Sequence, residues 1–128
     1  MVRAIAICFA LGCAPSPETL ARTEAAVAVR VFTNALGDRD AELARSLVAR
    51  ENRIPPMDLL LRADESGVFR DIEFYRFSRV AEEREGLVRV TGTVRSRGGE
   101  FALRARLVRE AEDLRISSFW VGDRPLVQ

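Results

Sequence analysis

The spacing of apolar positions changes period along the chain, from helical in the first half to strand-like in the second. Leu20, Ala21, Ala25, Val27, Ala28, Val31, Phe32, Ala35 and Leu36 fall in one broad arc at a helical period, with Arg22, Thr23, Arg30, Thr33 and Asn34 opposite. Ser16-Pro17-Glu18 supplies an N-cap, a first-turn proline and a first-turn acid, which predicts a helix from Pro17 to Leu36. Gly37 reads as its C-cap. Asp38 then caps a second helix from Arg39 to Val48, with Leu43, Leu47 and Val48 inward. Ile54-Pro55-Pro56 breaks the chain, and Met57 to Arg62 forms a short third helix ended by Asp64-Glu65-Ser66-Gly67.

From Val68 onward the period is two. Ile72 and Phe74 lie in one alternation and Tyr75 and Phe77 in the other, which predicts a bulge near Tyr75. Leu87 to Val94 is rich in β-branched residues, and Ser96-Arg97-Gly98-Gly99 turns it into Phe101, Leu103, Ala105 and Leu107, alternating with Ala102, Arg104, Arg106 and Val108. Glu110-Ala111-Glu112-Asp113 turns the chain again into Leu114 to Val121. Helices followed by an antiparallel meander make an α+β fold: two or three N-terminal helices packed on a curved antiparallel sheet of about four strands. It forms one domain over residues 18–128, long enough to bury a core without disulfides.

Composition narrows the chemistry. All 20 basic residues are Arg and the chain has no His, so a lysine Schiff base, an imidazole base and a His-ligated metal are excluded. Residues 1–12 carry Arg3 and no acid; without them Arg and acidic residues balance, which argues against a nucleic-acid partner. Asp38 and Asp40 are explained as helix caps and lack the further oxygen ligands of a cation site. No metal or cofactor is expected.

The first residues follow their own order: Met1-Val2-Arg3, an apolar run from Ala4 to Leu11, then Gly12-Cys13. A charged start, an apolar run too short to span a bilayer and a small residue are the order of a secretory signal. Ala10-Leu11-Gly12-Cys13 resembles the lipobox of bacterial lipoproteins. That resemblance implies a signal peptide over residues 1–12, a diacylglycerol on Cys13, acylation of its new amine, and a short tether over residues 13–17. With Ala14 after the cysteine it further implies the periplasmic side of an outer membrane. The alternatives are plain secretion, or a buried N-terminal segment with Cys8 and Cys13 as inert core thiols.

Val31-Phe32 with Ala35-Leu36-Gly37-Asp38, Ala41 and Leu43, and later Leu103 to Glu110 with Leu114-Arg115-Ile116, resemble the nuclear transport factor two-like (cystatin-like cone) superfamily. The resemblance implies a bent sheet wrapped around a long first helix. Its members include isomerases, dehydratases, cyclases and transport adaptors, so the fold leaves the activity open. Glu24, Phe32, Tyr75 and Trp120 are the candidates for a cavity inside the cone. Glu24 is the one charge in the apolar arc, and is either paired with an Arg, solvated near the helix start, or a pocket carboxylate with a raised pKa. The readings that follow are a membrane-anchored, non-catalytic domain binding an envelope protein or a small apolar ligand, an acid-base enzyme built on Glu24 and Tyr75, or a structural protein of envelope assembly. Binding is favoured over catalysis because no set of nucleophile and base is present.

Overall fold

The structure, a computed structural model, describes residues 15–128; the signal expected over 1–12 and Cys13 lie outside the described residues. Ser16 caps a helix as expected, its side chain accepting the Thr19 N–H, but this helix, α1 (Pro17–Ala21), is only one turn long. Thr23 interrupts it. The Thr23 hydroxyl donates to the Leu20 carbonyl at 2.7 Å and accepts the Ala26 N–H at 3.3 Å, closing α1 and capping α2 (Glu24–Gly37). A threonine that bonds to nearby backbone in this way competes with helix continuation, and here it replaces the expected unbroken helix. The break also resets the buried face. Ala26, Val29 and Thr33 point inward with Ala25, Phe32, Ala35 and Leu36, whereas Val27 and Val31, expected inside, are exposed.

Gly37 is the last residue of α2 rather than its cap. A β-carbon there would lie 2.8 Å from the Phe69 carbonyl oxygen, so glycine permits a close approach of two backbones. Asp38 takes the C-cap and Arg39 the left-handed turn, with φ 62°. Asp40, not Asp38, accepts the Leu43 N–H and starts α3 (Ala41–Ser46), which buries Ala44 and leaves Leu43 exposed. After a 3₁₀ turn (Arg50–Asn52), α4 (Pro56–Ser66) begins at the expected proline and runs past Arg62 to a left-handed Gly67 at φ 70°.

Five strands follow, one more than expected: β1 (Phe74–Arg84), β2 (Leu87–Ser96), β3 (Gly99–Glu110), β4 (Asp113–Val121) and β5 (Arg124–Val127). They form one antiparallel sheet in chain order, so the α+β architecture with helices against a meander is that of the molecule. The stretch expected to begin a strand at Val68 instead buries Val68 and Phe69 in the connection from α4. The bulge in β1 falls at Ser78 and not at Tyr75: Phe77 pairs with Gly92 and Arg79 with Thr91, so Ser78 is the extra residue and Val80 takes over the buried phase.

A second bulge lies in β4. Arg106 pairs with Ser118 and Leu107 with Ile116, leaving Ser117 extra, and the Ser117 hydroxyl donates to the Arg106 carbonyl at 3.2 Å. Leu114 and Ile116 before it and Phe119 and Val121 after it are therefore all buried. The edge of β4 near Ile116 is covered by Val48 in a parallel bridge: Ala49 N–H donates to the Ile116 carbonyl and Ile116 N–H to that of Leu47, each at 2.8 Å. Phe119 is the meeting point of the layers, its ring 5.2 Å from that of Phe32 and 6.4 Å from that of Phe69, both tilted. Such pairs add about 0.5–1.5 kcal/mol each beyond the area they bury.

A β-carbon on Gly92 would lie 2.9 Å from Phe77 Cα and press on the Arg76 carbonyl, at the strand partner of the β1 bulge. Gly92→Ala is expected to lower the unfolding free energy by about 1–3 kcal/mol in urea titration. An unchanged midpoint would show that the two strands do not close on this glycine.

Candidate functional site

The four positions singled out for a cavity do not come together. Phe32 is fully buried against Phe119 and fills the space between the helices and the sheet. Glu24 lies at the exposed start of α2, where it accepts two hydrogen bonds from Arg109 of β3, at 2.8 and 3.0 Å. Arg109 also donates to the Glu112 carbonyl at 2.9 Å. Of the three readings open for Glu24, pairing with an arginine is the one the structure has, and its carboxylate is not enclosed in a pocket. Its hydrogen bonds hold the Arg109 guanidinium above its ordinary pKa. With side chains 35% and 54% exposed, the pair is worth about 1 kcal/mol at most.

Tyr75 projects inward from β1 and is half-buried, its ring stacked on that of Phe77 at 6.0 Å. Its hydroxyl donates to Asn34 Oδ1 at 2.9 Å and shares a hydrogen bond with the buried Thr33 hydroxyl. Burial pushes the phenol above its ordinary pKa of 10.0, while the Thr33 hydrogen bond and the charge of Arg30 pull the other way. Glu24 and Thr33 are nine residues apart on one helix, about 14 Å at its rise per residue, so Glu24 and the phenol belong to separate places.

Trp120 faces the other way. Its strand partner is Arg104, and the register carries that row across the whole sheet, from Arg79 through Thr91, Arg104 and Trp120 to Pro125. This is the face turned from the helices, because the neighbours Val90, Ala105 and Phe119 form the buried row beside it. The expected place of Trp120 inside the cone is thus corrected: the extra residue at Ser117 puts Phe119 inside and Trp120 outside. The Arg104 guanidinium lies over the indole, 5.1 Å from the ring centroid. Arg89, Thr91, Arg104, Arg106, Ser118 and Trp120 line a shallow recess of about 240 Å³. Glu83 holds Arg89 at 2.7 Å and Arg106 at 3.3 Å. Arg76, Arg79 and Arg104 have no ion pair among the described residues. The alternation of Arg104 and Arg106 already set a basic face, but its partner Trp120 was hidden by the bulge.

A wider polar recess, of about 490 Å³, lies between Arg50, Arg53, Glu110, Asp113 and Arg115. Its charges are largely engaged: Arg53 donates to the Val48 and Ser46 carbonyls, Glu110 accepts the Arg50 N–H and Arg115 pairs with Asp113. Among the described residues no three His, Cys, Asp or Glu side chains converge as metal ligands, and no helix is long and apolar enough to cross a membrane.

No protein-family model and no curated protein sequence matches the chain. A solved structure is similar to it. That structure is an NTF2-like protein of unknown function from Cytophaga hutchinsonii, 13% identical, with a TM-score of 0.45, covering 77% of this chain and 89% of its own.

Two outcomes test Tyr75 and the Glu24–Arg109 pair. Tyr75 is the sole tyrosine, so phenolate absorbance reports it alone. Since its folded pKa lies above the unfolded 10.0, its contribution to stability is whole below pH 10 and is lost as pH rises through the folded value. Absorbance titration is expected to place ionisation above pH 10, and Tyr75→Phe to remove that alkaline loss. In a double-mutant cycle, Glu24→Gln and Arg109→Gln are expected to show a coupling of about 0.2–1 kcal/mol that fades at high salt. A coupling of several kcal/mol would instead mark a desolvated carboxylate.

Proposed function

We propose that this chain is a lipid-anchored protein of the cell envelope, held through Cys13 on the periplasmic side of an outer membrane, whose domain binds another envelope protein and performs no chemistry. The observation that carries the binding half is the filling of the space between helices and sheet. Phe32, Phe77, Phe119, Leu103, Leu107 and Ile116 are each essentially inaccessible to solvent and pack into the layer between the helices and the sheet. This favours a protein contact at the surface over a small apolar ligand inside. Glu24 and Tyr75, the two groups offered for proton transfer, are engaged in ties between α2 and the sheet. The anchoring half rests on Ala10-Leu11-Gly12-Cys13 after a charged start and an apolar run.

Expression of the full chain in a Gram-negative host, beside Cys13→Ser, tests the anchor. The expected result is a triacylated mass beginning at Cys13 and recovery with membranes, both lost in the variant. A soluble, unmodified chain that retains Met1 would reject it.

A further inference from the structure

We infer that the outer face of the sheet is an anion-binding surface for an acidic, extended polypeptide segment, centred on Arg104 and Trp120. This rests on the proposed binding role and names the chemistry of its partner. Four observations meet there. Arg76, Arg79, Arg89, Arg104 and Arg106 share the face, and the Glu83 carboxylate pairs with only two of them, Arg89 and Arg106. Arg104 is preorganised: stacked over the Trp120 ring, its guanidinium has lost freedom before any ligand arrives, while its N–H donors carry no carboxylate from the described residues. A planar guanidinium held over a ring with free donors is the natural partner of a carboxylate, which it can take through two parallel hydrogen bonds.

Spacing supplies the third observation. Arg79 and Arg104 stand in one register row on strands separated by β2, about 10 Å apart by the strand spacing, and an extended segment in the polyproline II conformation presents every third side chain on one side at about that distance. An acidic segment crossing the strands in that conformation therefore meets Arg79 and Arg104 in turn. The shape of the recess is the fourth. Half-buried Trp120 lines it with Arg89, Arg104 and Arg106, and its volume of about 240 Å³ is on the scale of a few side chains rather than of a flat bilayer surface. Arg104 covers one side of the indole, which leaves less aromatic surface for the base stacking that single-stranded nucleic acid depends on.

Trp120 is the sole tryptophan, so its fluorescence reports this site alone. The full chain, in an uncharged detergent, would be titrated with an octaglutamate peptide, and separately with octaglutamine, a twelve-residue oligothymidylate and phosphatidylglycerol vesicles. Octaglutamate is expected to produce a saturable change that weakens with salt, and octaglutamine none. Arg104→Gln should weaken the octaglutamate response at least tenfold and Arg79→Gln about threefold, with the melting temperature of Arg79→Gln unchanged because that side chain is exposed and unpaired, and that of Arg104→Gln lowered by a few degrees at most through loss of its contact with the indole. Arg97→Gln, in the β2–β3 turn and paired with Asp71 at 2.8 Å, should leave it unaltered. Absence of a response to octaglutamate, equal binding by Arg104→Gln, or tighter binding of oligothymidylate or vesicles would each overturn the inference. The anchor fails separately: an unmodified Cys13 with an intact peptide response rejects only the lipid attachment, and a triacylated chain without the response rejects only the acidic partner.

Discussion

One extra residue at Ser117 decides which way the end of β4 faces, and with it both the core and the exposed surface. Simple alternation from Leu114 and Ile116 would send Ser118 and Trp120 toward the helices and leave Phe119 and Val121 in water. Burial of a phenylalanine and a valine is worth about 1.5–3 kcal/mol each, and an indole inside would need a partner for its N–H. The bulge resolves this by moving the phase one step, stabilised by the Ser117 hydroxyl on the Arg106 carbonyl. Both backbone groups of Ile116, immediately before it, are bonded to the 47–49 segment, so the bulge is pinned from the helical side as well. Phe119 can then meet Phe32 of α2 and Phe69 of the connection, and Trp120 can meet Arg104.

The same helices are tied to the sheet by polar contacts at the rim of this core. Glu24 and Arg109 join the start of α2 to β3, Tyr75 joins its later turns to β1 through Thr33 and Asn34, and Arg62 of α4 donates to the Leu126 carbonyl of β5 at 3.2 Å. Arg39 and Asp64 link the end of α2 to α4 at 2.8 Å. These ties set orientation, while the buried aromatic and aliphatic groups supply most of the free energy. The groups that looked chemical in isolation, a carboxylate and a phenol, are used as fasteners.

Freed from the interior, the polar chemistry of the domain concentrates on the opposite side of the sheet. Opposite residues of neighbouring strands share a face, so the rows of β1 to β3 bring arginines together without any one strand being strongly basic. Net charge conceals this arrangement: balance over the chain coexists with a surface where guanidinia outnumber carboxylates. An electrostatic partner recognised there would depend on local geometry rather than on a long-range field.

The order of elements, the turns at Arg97-Gly98 and Ala111-Glu112, the helix starts at Ser16 and Pro56 and the inward face of β3 were legible in the sequence. They depend on local spacing, capping and turn chemistry, which act within a few residues. The break at Thr23, the rotated face of α2, the choice of Asp40 over Asp38 as the cap of α3, the strand β5 and the bulges at Ser78 and Ser117 were not. The break and the cap turn on hydrogen bonds within three residues that compete with equally local alternatives, whereas the bulges and the end of α2 meet groups distant in sequence: the Phe69 carbonyl against Gly37, the close approach of Arg76 and Phe77 to Gly92, and the bonding of Leu47 and Ala49 to Ile116. The sequence by itself determined an α+β domain with an apolar helix face and an arginine-bearing strand. Only the tertiary structure decided that Glu24 is spent on Arg109 and that Trp120 lies under Arg104, because a one-residue change of strand phase exchanges the two faces of a sheet and local pattern alone does not reveal it.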